Sequence, residues 1–188
     1  MNLLFPLVFL IAFLYATVGF GGATGYLAVM SLFGIGPQVM ASTALFLNVI
    51  VAGISFLSYF RAGHLRRDLL LPFILTSVPA AFFGGSLKLD EQVYSVLLYA
   101  VLMFVAFRLL FFSKQAEETA EARDLRVTPP LWIALLIGLL IGLLSGMLGI
   151  GGGVFLSPII IYARWGNSKQ AATVSAAFIV LNSISGLV

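Results

Sequence analysis

Ser145-Gly146-Met147-Leu148-Gly149-Ile150-Gly151-Gly152-Gly153-Val154 sets a cluster of glycines between two long apolar runs. Reading outward from it, the pattern recurs near the N-terminus as Thr17-Val18-Gly19-Phe20-Gly21-Gly22-Ala23. Gly19, Gly21 and Gly22 precede Gly149, Gly151 and Gly152 by a constant 130 positions. Apolar segments interrupted at corresponding places in two halves of a chain point to a transporter's substrate site. Unwound backbone at membrane depth persists only where it is buried in protein or lines a cavity.

Composition places the chain in a bilayer independently of that motif. Hydrophobic residues make up 61% of the 188 residues and charged residues 9%, so no polar surface could cover the apolar runs in water. The net charge of +3 sits in short loops between those runs and reports topology; it is not a nucleic-acid footprint. No cysteine is present, which excludes thiolate metal sites and disulfides. The first apolar run lacks a basic leader and a small-residue cleavage site, and is expected to be retained.

In chain order, residues 3–18 and 24–34 flank the first glycine cluster. They are about 24 Å and about 17 Å long as helices, both short of a hydrocarbon core of about 30 Å. Full spans are expected at 38–60, at 69–87 with Pro72 and Pro79, and at 93–112. Residues 113–130 are polar and charged and form a linker. The second broken segment starts at Leu131, breaks at 149–153, resumes to 163, and is followed by an apolar run from Ala171 to Val188. Leu47-Asn48 matches Leu181-Asn182 if one helical turn of four residues is inserted in the second copy. The organisation expected is a first transmembrane repeat at 1–112, a cytoplasmic linker at 113–130 and a second, truncated repeat at 131–188.

The basic residues decide how each broken segment crosses. If each re-enters on the side it left, Arg61, Arg66, Arg67, Lys114, Arg123, Arg126, Arg164 and Lys169 share one face and only Lys88 lies opposite. A single crossing by the second segment would weaken that eight-to-one bias to six-to-three. The positive-inside rule therefore predicts re-entrant hairpins with the basic loops cytoplasmic. Three full spans separate the hairpins, so the two copies are inverted. The fold class predicted is all-α, a polytopic transmembrane bundle of two inverted repeats. Each repeat opens with a glycine-broken hairpin, and the second is incomplete.

The paired G-F-G-G and G-I-G-G-G breaks, the Arg61-Ala62-Gly63-His64 loop and the stretch from Ala171-Ala172-Thr173 to Asn182-Ser183 resemble the TauE/SafE family of sulfite and organosulfur-anion exporters. The resemblance covers nearly the whole chain. It implies two four-segment inverted repeats with an anion site between them, in a multi-pass protein of the cell membrane. The counterpart of residues 61–112 is absent from the second half, which implies a parent protein longer by roughly 50 residues on repeat symmetry.

Local chemistry also favours an anion. A half-helix beginning near Ala23 or Gly153 has first N–H groups without intrahelical acceptors and a dipole that attracts negative charge. The substrate-binding residues expected are Gly19, Gly21, Gly22, Thr24, Asn48, Gly149, Gly151, Gly152, Gly153 and Asn182, with Thr17 and Ser145 as neighbouring hydroxyls. Asn48 and Asn182 are amides in otherwise apolar runs, where they either line the substrate path or bond two helices together.

Gly138, Gly142 and Gly146 recur every four residues and are assigned to helix packing. His64 is assigned to the solvated interface, and Arg108 to snorkelling at the end of its span. The glycine cluster fails as a dinucleotide fingerprint, because no strand precedes it and no acid follows about 20 residues on. There is no P-loop, metal cluster or nucleophile paired with a base, so neither enzymatic activity nor a cofactor is expected. The partners expected are a small anion and the lipid bilayer, with self-assembly into a homo-oligomer allowed and nucleic acid not. A non-transporting membrane scaffold, its glycines serving packing alone, is the competing reading.

Overall fold

The structure is a computed structural model that describes residues 3–18, 21–121 and 128–187. Gly19 therefore lies outside the described residues. In chain order the elements are α1 (Leu4–Val18), α2 (Ala23–Leu32), α3 (Pro37–Arg61), α4 (Arg67–Ser86), α5 (Glu91–Glu121), α6 (Leu131–Leu148), α7 (Gly153–Tyr162) and α8 (Ser168–Gly186). All are helices, with no strand among the described residues.

Helix boundaries follow the backbone chemistry of the sequence. Gly22 (φ 85°) precedes α2, and Gly152 (φ 80°) precedes α7, both in the left-handed region that side chains disfavour. Gly149 (φ 78°) ends α6, its N–H bonding back to the Ser145 carbonyl at 2.9 Å. Pro37 opens α3 at the first turn, where a missing N–H costs nothing. Asn167 and Gln170 form a reciprocal capping box at the start of α8.

Among the described residues, four helices are long and apolar enough to cross a membrane: α3, α4, α6 and the Glu91–Arg108 part of α5. The flanks of the breaks are shorter. With 10 residues each, α2 and α7 reach about 15 Å, half a hydrocarbon core. The fifth helix continues past residue 112 into the polar stretch as far as Glu121.

Glycines set the closest helix packing. A Cβ on Gly138 would strike the Phe73 carbonyl, one on Gly142 would strike Ser77, and one on Gly146 would strike the Ala81 carbonyl. These three glycines step along α4 in ascending order, so α4 and α6 run in the same direction with backbones in contact, as the four-residue spacing implies. At the far end of α4, a Cβ on Gly85 would come within 3.1 Å of Gly186 Cα at the end of α8. At the near end, Arg66 donates from Nη1 to the Trp165 carbonyl at 2.6 Å, and the Trp165 ring lies 6.2 Å from that of Phe73. In the first half, Tyr15 and Thr24 pair their hydroxyls at 3.3 Å and Gly25 abuts Ile11, so α2 runs back along α1.

Burial is arranged as a bilayer requires. Phe5, Phe9, Leu75, Met103 and Leu140 stand more than half exposed on the outside, a surface that lipid tails solvate without penalty. In the middle lies α8, packed against α3, α4, α6 and α7 and buried at most positions. Its buried surface mixes the apolar Val174, Phe178 and Ile179 with small and polar residues, from Ala171 through Thr173 and Ser175 to Asn182 and Ser183. Surrounded by protein, it does not need the hydropathy of a lipid-facing helix, and it falls outside the helices that qualify as spans by composition.

Candidate functional site

Both glycine breaks arrive at the same two side chains. A Cβ on Gly151 (φ 76°) would lie 2.7 Å from Asn48 Nδ2, 2.9 Å from Ile179 Cγ2 and 3.2 Å from Ser183 Oγ. A Cβ on Gly21 would overlap Asn48 Oδ1 and reach Ile179 Cγ2 at 3.0 Å. Asn48 from the middle of α3 and Ile179 from the middle of α8 thus stand between the two interruptions. Only glycine permits the backbone to come this close.

Polar side chains on the helices that meet at this junction are buried and unsatisfied. Neither the Oδ1 nor the Nδ2 of Asn48 and Asn182 has a hydrogen-bond partner, and the hydroxyls of Tyr26, Ser145, Ser175 and Ser183 are in the same state. All six residues are essentially inaccessible. Leaving such a group unpaired costs about 1–3 kcal/mol, so a set of six is not a neutral feature of a packed core. No side chain caps α2 or α7, whose leading N–H groups start beside Gly22 and Gly152. Among the described residues, the buried polar groups are Thr, Ser, Asn and Tyr, and none carries a charge.

The other glycines divide by what they face. Gly153 abuts Ile179 and would bring a Cβ 3.0 Å from the Ser175 carbonyl. Gly22 faces Tyr26, a Cβ there lying 2.7 Å from the hydroxyl. Gly149 opposes the Ala41 backbone, a Cβ falling 2.7 Å from its Cα, so this residue admits α3 to the end of α6. Gly152 points its Cβ direction at Ile141 and Phe178, 2.6 Å and 2.8 Å away, into the apolar core. Thr24 is bonded to Tyr15. Asn182 lies on α8 between Ile179 and Ser183.

A family model described as sulfite exporter TauE/SafE matches residues 4–188. The chain belongs to the TauE/SafE family. It is a multi-pass membrane transporter of that family. The "Probable membrane transporter protein y4hK" of Sinorhizobium fredii is 37% identical over 180 residues, covering 96% of this chain and 72% of that protein. The "Probable membrane transporter protein MJ0441" of Methanocaldococcus jannaschii is 26% identical over 197 residues, covering 99% of this chain and 72% of that one. No solved structure matches.

Sequence reasoning on the TauE/SafE chain missed Tyr26, Ser175 and Ile179 at the junction. Ser175 carried a usable signal, being a hydroxyl in the apolar run that also holds Asn182. Tyr26 and Ile179 carried none, because only tertiary packing brings them to the breaks.

Proposed function

We propose that the protein exports a small oxyanion, sulfite or an organosulfonate, through the junction of its two glycine breaks. The single observation that carries this reading is the Asn48 amide, buried between Gly21 and Gly151 with both polar atoms unpartnered. A structural amide in a membrane helix bonds a neighbouring helix, and Asn48 bonds none. A leucine would pack there without the penalty, so an amide retained at that depth points to a polar ligand. The uncapped starts of α2 and α7 favour negative charge over positive. Neutral donors also let an anion leave as readily as it enters.

The same junction supports re-entrant hairpins in inverted repeats. Helices α4 and α6 run in parallel, and the chain after α7 is tied to Arg66 and Phe73 at the beginning of α4. The second break thus turns back toward the end where α6 began. The first break turns back along α1, from the opposite end of the bundle. Alternating access would then rock one repeat against the other around Asn48 and Ile179. The test is sulfite and methanesulfonate counterflow in proteoliposomes with the full-length protein. Saturable exchange is expected; exchange no faster than in protein-free vesicles contradicts the reading.

A further inference from the structure

On the face carrying the α4–α5 turn, a cavity of about 400 Å³ descends between α3, α4, α5, α6 and the end of α8 at Gly186. Its rim holds Lys88, Gln38, Ser42 and Ser86, and its floor is Leu45 and Gly146. Leu45 is one helical turn from Asn48 on α3, so only that turn separates the floor from the junction of the breaks. The opening of α3 lies in the wall: Pro37 and Gln38 line the cavity, and no side chain caps that helix. Lys88 is exposed and makes no ion pair, the Arg66–Asp68 pair being the one formed among the described residues. Asp90 and Glu91 follow in the same turn but do not line the cavity, so Lys88 is the charged side chain in its wall. From these we infer that the cavity is a second anion subsite, a vestibule in which Lys88 and the start of α3 concentrate small sulfonates and related oxyanions on their way to or from Asn48.

This subsite rests on the transport reading for its purpose, and its charge selectivity is measurable without transport. The chain has no native cysteine, so Ser42→Cys places one thiol in the cavity wall. The probes are two methanethiosulfonates applied to proteoliposomes, one bearing an ethylsulfonate and one a trimethylammonium group. The anionic reagent is expected to react faster. Lys88→Gln should lower the anionic-to-cationic rate ratio by about tenfold at low salt, while Lys88→Arg should preserve it. Sulfate should slow the anionic reagent in the parent and not in Lys88→Gln. A ratio insensitive to Lys88→Gln, or a thiol that neither reagent reaches, overturns the vestibule. Asn48→Leu separates the two claims. It should stop exchange of sulfite and leave the reagent ratio unchanged, so sulfite exchange that survives Asn48→Leu overturns the transport reading alone, and a ratio insensitive to Lys88→Gln overturns the vestibule alone.

Discussion

The Asn48 amide nitrogen faces Gly151 so closely that a Cβ on that glycine would lie 2.7 Å from it. Contact this tight between a polar side chain and a left-handed glycine makes Gly151 the most informative position in the second break. Gly151→Ala is expected to cost about 1–2 kcal/mol through its positive φ alone and to displace the amide. The full-length variant should still insert, with sulfite-dependent thermal stabilisation reduced to a small fraction of the parent's. Stabilisation equal to the parent's would detach Gly151 from the ligand.

Gly142 supplies the contrast. Its neighbour is the Ser77 backbone of α4, so added bulk pushes two helices apart without touching the junction. Gly142→Val should lower the folded yield in detergent by an overpacking penalty of about 1–3 kcal/mol or more. The fraction that folds should bind sulfite with near-parental affinity. Normal yield with lost binding would reverse the assignments of the two glycines.

Tyr26→Phe removes a buried hydroxyl that has no partner in the protein. Were the hydroxyl an idle packing remnant, its loss would be neutral or mildly stabilising and nothing more. As a donor to substrate beside Gly22, it should instead weaken sulfite affinity by about tenfold with melting temperature unchanged or raised. Calorimetric titration of parent and variant separates these outcomes.

Much of this architecture was legible in the residues. The glycine clusters located both interruptions and put the starts of new helices at Ala23 and Gly153, where α2 and α7 begin. The spacing of Gly138, Gly142 and Gly146 gave the packing face of α6, because close helix approach has a four-residue period. What each glycine of a cluster faces was not legible. Gly149 meets Ala41, Gly151 meets Asn48 and Gly152 meets Phe178, and these neighbours sit on α3 and α8, helices remote in sequence. Gly152, expected among the substrate-binding residues, directs a Cβ at Ile141 and Phe178, so a side chain there meets the core first. The role of α8 was likewise hidden. A helix enclosed by protein reads as weakly apolar, and its centrality shows only once the helices around it are in place.

Topology can be checked on the same cysteine-free background. His64→Cys and Ser168→Cys should be labelled from one side of the membrane and Lys88→Cys from the other, using an impermeant maleimide on oriented vesicles. The bond from Arg66 to the Trp165 carbonyl already ties the first two loops together. Labelling of His64→Cys and Ser168→Cys from opposite sides would rule out a re-entrant second hairpin.

The most direct measurement is sulfite-dependent thermal unfolding of the purified full-length protein and its Asn48→Leu variant. Sulfite at 100 times its dissociation constant should stabilise the parent by about 2.7 kcal/mol, a rise of roughly 5–10 °C for a chain of this size. Asn48→Leu should melt no lower than the parent without ligand, since it relieves an unsatisfied buried amide, and should show no rise with sulfite. A variant stabilised by sulfite as strongly as the parent would contradict the claim that the substrate binds between Gly21 and Gly151.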